Sequence, residues 1–213
     1  MSSNPNQLAF GDVRRKVPLG NRGRFWQDIL DRTHDWYRLQ GRGRVYPIPN
    51  AWAFCPFWQW KNLPEAVRAR TGDGGFLKRV KSAPDYVGSV GIWPVMFDAK
   101  EFDGASIPLA DKFTPRQIED LNDSFIAGNI YAGFMVLEKR HMKVWWLQAD
   151  YVYLWHRAVL CNTPGVAKSI NFSKLDFNQP SIAHSIRFLG ELKGSRFDYA
   201  PALIAGYDER FCQ

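Results

Sequence analysis

The sequence has little cysteine and lacks the patterns of several common protein classes. Only three cysteines occur in 213 residues, far apart and without the short spacings of a zinc site. No apolar run approaches the roughly 18 residues of a membrane-spanning helix. The first ten residues have neither the basic nor the apolar stretch of a secretory signal, and no glycine-rich nucleotide-binding motif occurs. We therefore expect an intracellular, cytoplasmic protein without a membrane anchor, a zinc site or a nucleotide cofactor.

The composition indicates a folded domain with an uneven distribution of charge. Hydrophobic residues make up 46% of the chain and aromatic residues 15%, which is enough for one core. The net charge is +7, but residues 1–100 hold 16 Lys and Arg against 8 Asp and Glu, whereas residues 101–213 hold 12 against 13. A basic excess confined to one half suggests a polyanionic partner. An ordinary solvated basic surface explains the same charge equally well.

Hydrophobic periodicity and turn residues predict alternating helices and strands. The order of these elements predicts an α/β fold with a small mixed sheet flanked by helices. The predicted elements are a helix between Gly23 and Gly41, a strand at Val45–Ile48, strands at Tyr86–Ile92 and Val95–Phe102 separated by a Trp-Pro turn, a helix from Thr114-Pro115 to about Ala127, a hairpin of Tyr131–Leu137 and Lys143–Leu147, and a helix capped by Asp150 that runs through Val159.

The most specific pattern is Pro84-Asp85, then twelve residues, then Asp98-Ala-Lys100. Side chains alternate along a strand, so Asp98 and Lys100 share one face, and Asp85 reaches the same place if the two strands pair. Two carboxylates at one place can hold a hard divalent cation such as Mg²⁺. The lysine can orient the attacking water and stabilise charge on a phosphate.

The short Asp/Glu-x-Lys pattern is weak by itself. A second copy occurs at Glu191-Leu-Lys193, between two glycines and without a strand pattern or a preceding Pro-Asp pair. The alternative interpretation of Asp98 and Lys100 is a solvated ion pair on an edge strand.

Several motifs occur together in an order that resembles a known family. They are Gly20-Asn-Arg-Gly23, Asp85-Tyr-Val-Gly88, Phe97-Asp-Ala-Lys-Glu101, Pro115-Arg-Gln-Ile118, Gly133-Phe-Met-Val-Leu137 and Trp145-Trp-Leu-Gln-Ala-Asp-Tyr151. Over most of residues 20–157 the chain resembles the RecU-type Holliday junction resolvases of the PD-(D/E)xK nuclease superfamily. The resemblance implies a restriction-endonuclease-like core, a homodimer, and paired Mg²⁺-dependent cuts in four-way DNA junctions, with Mn²⁺ able to substitute.

The resemblance also implies roles for individual residues. Asp85 and Asp98 would be metal ligands, Lys100 the catalytic lysine, and Gln117 a catalytic glutamine on the following helix. Gln27 stands where the family places a glutamate near the metal, so binding of a second metal ion is an open question. Asp28 or Asp31 could substitute for that glutamate.

The remaining expectations concern DNA contacts and domain organisation. We expect a flexible basic arm at residues 1–19 and a single nuclease domain at residues 20–213, in which residues 49–83 form an inserted stalk. The aromatic residues of this stalk either stack on bases or pack internally. The basic residues expected to contact DNA phosphates are Arg14, Arg15, Lys16, Arg22, Arg24, Arg68, Arg70, Lys78, Arg79 and Lys81.

Three functions remain open at this point. The first is resolution of four-way junctions in DNA recombination and repair, by a protein in the cytoplasm, at the nucleoid or of viral origin. The second is another PD-(D/E)xK endonuclease or nickase that cuts duplex DNA. The third is an architectural protein that binds junctions without cleaving them.

Overall fold

In a computed structural model, the structure describes residues 24–48, 52–55, 76–79, 84–129, 131–179 and 185–211. The helices are α1 (Arg24–Leu39), α2 (Leu109–Lys112), α3 (Pro115–Ile126), α4 (Ala149–Leu160) and α5 (Ala200–Phe211), with a 3₁₀ turn at Phe172–Lys174. The strands are β1 (Gly43–Pro47), β2 (Trp52–Cys55), β3 (Phe76–Arg79), β4 (Tyr86–Val90), β5 (Trp93–Phe102), β6 (Ile107–Pro108), β7 (Tyr131–Glu138), β8 (Lys143–Gln148), β9 (Ser169–Ile170) and β10 (Ile186–Glu191).

A mixed six-stranded sheet organises the fold in the order β1-β4-β5-β7-β8-β10. Among the described strand pairs of this sheet, only β5 and β7 run parallel. They can do so because α3 lies between them in the chain and returns the chain to the end of the sheet at which β5 begins. The strands β2 and β3, inside the expected stalk, pair with each other as a separate antiparallel ribbon. The prediction of an α/β fold with a mixed sheet flanked by helices is confirmed.

The two faces of the sheet carry two separate cores. On one face, α1 and α5 pack on alternate residues of the strands, such as Val95, Phe97 and Met135. On the other face, α2, α3 and α4 pack on the intervening residues, such as Phe134 and Val136. Because side chains alternate along a strand, Asp98 and Lys100 belong to the α3 face, and their neighbours Phe97 and Ala99 belong to the α1 face.

Gly88, three residues after Asp85, lies where a side chain would not fit. A Cβ atom at Gly88 would collide with the main-chain oxygen of Arg44 on β1. Glycine therefore allows β1 to lie close against β4, the strand that follows Asp85.

Two local predictions were wrong. Trp93 and Pro94 lie within β5, and the turn before it is Gly91-Ile92, since Gly91 adopts φ +59°. Pro94 is tolerated because it precedes the first residue of β5 that pairs with β7. Asp150 is not the N-cap of α4. The helix follows β8 directly with Gln148 as its N-cap, and Asp150 lies in the first turn, where its charge favours the helix dipole.

The chain beyond Cys161 contributes elements that periodicity did not predict. The edge strand β10 pairs with β8, and α5 covers part of the α1 face. Among the described residues, no helix is both long and apolar enough to cross a membrane.

Candidate active site

The central feature of the site is a buried ion pair in the middle of the sheet. Asp98 and Lys100 lie on β5, between β4 and β7. The Asp98 side chain is fully buried, the Lys100 side chain is 15% exposed, and Lys100 Nζ lies 2.5 Å from Asp98 Oδ2. The alternative interpretation of a solvated pair on an edge strand is therefore wrong. A pair of opposite charges is the form in which a protein interior tolerates ionised groups.

Gln117 closes a three-membered cluster with these two charges. Its amide Nε2 donates to Asp98 Oδ1 at 2.6 Å, and its Oε1 accepts from Lys100 Nζ at 3.1 Å. The position of this side chain follows from the start of α3, where Thr114 is the N-cap and Pro115 the first helical residue. Gln117 thus stands at the first turn of α3, directly over β5.

Thr114 was not among the predicted site residues. Its hydroxyl donates to Gln117 Oε1 at 2.9 Å, and the Gln117 N–H lies 3.4 Å from the same hydroxyl oxygen. The spacing Thr-x-x-Gln is that of a capping box, which could have drawn attention to this contact. The glutamine side chain points to the charged pair instead of back to the Thr114 N–H.

Asp85 lies at the end of the neighbouring strand. Residue Tyr86 pairs with Phe97, so the antiparallel register places Asp85 opposite Asp98. The half-buried Asp85 accepts a hydrogen bond from the Ala99 N–H through Oδ2 at 3.0 Å. The Asp85 carboxylate thus accepts the hydrogen bond that a main-chain oxygen of a neighbouring strand would otherwise accept, just before the first residue of β4. The structure brings Asp98, Lys100 and Gln117 into direct contact and places Asp85 on the adjoining strand end.

The donor set determines which cation the site could hold. Two carboxylates are hard oxygen ligands, and Mg²⁺ is commonly bound through one or two carboxylates while it keeps several waters. Each carboxylate oxygen has two lone pairs, so the hydrogen bonds from Ala99, Gln117 and Lys100 do not use all of the acceptor capacity of Asp85 and Asp98. In the described part of the chain, no group of three or more His, Cys, Asp and Glu side chains is arranged to hold a metal. Asp85 and Asp98 supply the kind of oxygen ligands that a partly hydrated Mg²⁺ takes from a protein.

The acidic residues Asp31 and Asp28 of α1 lie near the Tyr86 hydroxyl, whose pKa is raised by burial and by the charges of Asp31, Asp85 and Asp28. Asp31 accepts from the Tyr86 hydroxyl at 2.9 Å, and burial raises the pKa of Asp31 above its usual value. Tyr86 is on the α1 face, stacked on Phe97. For Gln27 the described contact is through its main-chain oxygen, 3.4 Å from the Tyr86 hydroxyl. These contacts place Asp31 beside the residue that follows Asp85, and they give no ligand role to Gln27.

The second Asp/Glu-x-Lys copy differs in its surroundings. Glu191 is the last residue of the edge strand β10, contrary to the prediction of no strand at this place. Its carboxylate lies 3.3 Å from Lys193 Nζ, and the two side chains are 51% and 81% exposed. This is the solvated ion pair that the pattern usually represents.

Most of the residues predicted to contact DNA lie outside the part of the chain that the structure describes. Arg24 is exposed at the start of α1, with its side chain 3.8 Å from Asp28. Lys78 and Arg79 lie on β3. The following predicted contacts lie outside the described residues: Arg14, Arg15, Lys16, Arg22, Arg68, Arg70 and Lys81.

No protein-family model matches the chain, and a comparison with curated proteins finds no significant match.

Proposed function

We propose that the protein is a Mg²⁺-dependent endonuclease that resolves four-way DNA junctions by symmetric hydrolysis of phosphodiester bonds. The observation that carries this proposal is the buried Asp98–Lys100 pair, held by Gln117, with Asp85 on the adjoining strand end. Metal-assisted hydrolysis of a phosphodiester requires ligands for the metal ion and a positive charge near the phosphate. The two carboxylates supply the ligands, and the lysine supplies the charge.

Each residue of the cluster has a defined task under this proposal. Asp85 and Asp98 hold Mg²⁺, which supplies Lewis acidity and a water of lowered pKa when bound. Lys100 presents its ammonium group to the charge that develops on the phosphate. Gln117 fixes the orientation of both Asp98 and Lys100 through its amide, so that neither has to reorganise during the reaction.

The choice of a four-way junction rests on the order of motifs over residues 20–157 and on the basic excess of residues 1–100. A restriction-endonuclease-like core is part of the same proposal, and a mixed sheet whose central strand carries the charged pair agrees with it. Symmetric cuts need two sites, so the acting species is a homodimer. The expected basic arm and stalk would hold the arms of the junction through phosphate contacts.

The test uses a synthetic four-way junction, a linear duplex and a single strand, each incubated with the protein in Mg²⁺ and in Mn²⁺. We expect paired nicks in the junction only. Asp98→Asn should remove cleavage while junction binding remains, and Glu191→Gln, the matched control on the exposed copy, should cut as the wild type does.

Two results would replace the proposal. Cleavage of the linear duplex at a similar rate would make the protein a general duplex nuclease or nickase. Tight junction binding without cleavage in either metal would make it an architectural protein, in which the cluster of Asp98, Lys100 and Gln117 only stabilises the fold.

A further inference from the structure

A second cluster lies on the same face of the sheet as the site, three strands away. Lys100 pairs with Val136 on β7, Val136 pairs with Trp145 on β8, and Trp145 pairs with Phe188 on β10. Directly paired residues point to the same side of a sheet, so Phe188 and Lys100 share one face. Neighbouring strands lie roughly 4.8 Å apart, which places the two residues about 14 Å from each other.

The cluster consists of four aromatic side chains, two of them open to solvent. The ring of Phe172 is stacked on buried Trp145 at 4.7 Å, and the ring of Phe177 is stacked on it at 5.7 Å. The Phe188 ring lies 5.0 Å from the Trp145 ring. Phe177 is 39% exposed and Phe188 46% exposed. Phe177 and Phe188 thus both pack against Trp145 at the surface. Together they expose more apolar area than a single residue does.

Basic side chains lie near these rings, together with the buried Glu138, which accepts from Trp145 Nε1 at 3.2 Å, although residues 101–213 as a whole are slightly acidic. The ammonium of Lys143 lies 6.0 Å from the centre of the Phe188 ring. In the turn between β7 and β8, Arg140 is exposed, and half-exposed His141 is held through its Nδ1 by the buried carboxylate of Glu138. Lys139 of this turn forms an ion pair at 3.3 Å with Glu101, the residue after Lys100. The turn thus lies beside the aromatic cluster, and its Lys139 contacts β5 through a residue on the opposite face of the sheet from Lys100.

We propose that this surface, formed by Phe177, Phe188, Arg140, His141 and Lys143, binds an unpaired stretch of the DNA strand that enters the site. Its exposed rings stack on one or two unpaired bases, and its basic side chains contact the adjoining phosphates. The inference rests on the proposed function, since it assigns the surface to the substrate of that same site.

Charge decides between a nucleic acid and a protein as the occupant. Protein–protein interfaces are depleted in lysine, and their centres contain few charged residues. Here Lys143 lies beside the Phe188 ring, and Arg140 and His141 are exposed on the adjoining turn, as a phosphate chain with stacked bases requires. The separation of about 14 Å across the sheet corresponds to about four nucleotides of a B-form strand. Val136 and Trp145, which lie between the two places, are buried, so the strand would pass around this covered part of the face.

The experiment measures fluorescence anisotropy of a labelled 20-nucleotide oligothymidylate and of a duplex of equal length, in buffer without divalent metal. Phe188→Ala and Phe188→Leu should weaken binding of the single strand about 5- to 100-fold, since one stacked base is lost. Phe188→Trp should restore it. Duplex binding should change less than about twofold, because paired bases do not expose their faces.

Two further variants serve as checks on folding and charge. Leu154→Ala removes an exposed apolar side chain on α4 and should leave binding of the single strand unchanged. Phe188→Leu keeps apolar bulk against Trp145, so its loss of binding would reflect the missing ring face. Arg140→Gln combined with Lys143→Gln should lower the salt dependence of single-strand binding by about 0.7 per lost phosphate contact.

The inference is overturned if Phe188→Ala and Phe188→Leu bind the oligothymidylate as the wild type does. It is also overturned if these variants change the sedimentation of the protein and leave DNA binding intact, which would make the surface a protein interface. Binding is measured without metal, so it is independent of cleavage. Junction cleavage that depends on Asp98 but not on Phe188 would refute this inference alone. Stacking that depends on Phe188, in a protein that never cuts, would refute the proposed function alone.

Discussion

The two faces of the central sheet bury polar groups in different ways. On the α1 face no two buried side chains of opposite charge are described in contact: His34 contacts the Tyr199 hydroxyl at 3.1 Å, and the pKa of His34 falls to about 3 because burial disfavours its charged form. The buried Arg187 of this face donates from Nη1 to the main-chain oxygen of Leu203 at 3.0 Å. Burial likewise raises the pKa of Tyr37 and Tyr199. On the α3 face, by contrast, Asp98 and Lys100 are buried as an ion pair.

This difference separates a structural role from a chemical one. Neutral hydroxyl and imidazole groups cost less to bury than ionised groups, so the α1 face is a core with polar atoms in it. A buried ion pair is expensive, and apolar residues of similar volume often stabilise a protein equally well or better. Two opposite charges are buried against each other on the α3 face, and this costly arrangement is the physical basis for placing the site there.

The largest expected effect comes from breaking the buried pair. Lys100→Ala leaves Asp98 as an unpaired buried charge, and we expect the free energy of unfolding to fall by about 3–5 kcal/mol in urea titrations. Lys193→Ala, in the exposed copy of the motif, is the matched control and should change it by less than about 0.5 kcal/mol. Equal losses for the two variants would remove the contrast between a buried and an exposed pair.

Removal of the bridging amide should have the next largest effect. Gln117→Ala deletes the hydrogen bonds to Asp98 and Lys100, and each hydrogen bond to a charged group contributes roughly 1.5–3 kcal/mol. We expect a loss of about 2–3 kcal/mol by urea unfolding, since water partly replaces the amide. Gln40→Ala, on the exposed turn after α1, is the control. A loss no greater than that of the control would show that the pair does not depend on Gln117.

The buried His34 of the α1 face should make the free energy of unfolding depend on pH. The pKa of His34 is about 3 in the folded protein and about 6.5 when unfolded, so the unfolded chain binds a proton first as the pH falls. Stability from this group is complete above pH 6.5 and decreases towards pH 3, by about 2 kcal/mol at pH 5. His34→Gln should flatten the dependence of unfolding free energy on pH between 7 and 5. His156→Gln should leave it as in the wild type, and an equal slope in all three proteins would contradict a neutral His34.

The smallest effect is expected at the exposed copy of the motif. Glu191→Gln removes one partner of a pair that solvent already screens, so the thermal midpoint should stay within about 2 °C of the wild type. In 1 M salt any residual difference should vanish. A clear loss of stability in this variant would mean that the position on β10 is more constrained than its exposure indicates.

The sequence sufficed for the parts of the fold that local signals determine. The helix at Arg24–Leu39 follows from apolar spacing and Gly41, and α3 follows from the N-cap Thr114 with Pro115. The shared face of Asp98 and Lys100 follows from strand alternation. Burial of the pair does not, because it depends on β4 and β7 pairing on both sides of β5.

Other features depend on contacts between distant parts of the chain. The strand β10 was missed because a bulge before Gly190 interrupts its alternation. The aromatic cluster was missed since Trp145, Phe172, Phe177 and Phe188 come from separate segments whose meeting no spacing reveals. The turn at Gly91 was misplaced because Trp-Pro is the stronger local signal, although Gly91 alone can adopt the required φ.

The most direct test of the account replaces the buried pair with apolar residues. In the double variant Asp98→Leu/Lys100→Met no charge is left unpaired, so the unfolding free energy should be kept or raised. The measurement is cleavage of a synthetic four-way junction in Mg²⁺ by this folded variant, beside the wild type. We expect the wild type to cut and the variant to have lost cleavage completely. Cleavage by the variant at the wild-type rate would contradict a catalytic role for the pair.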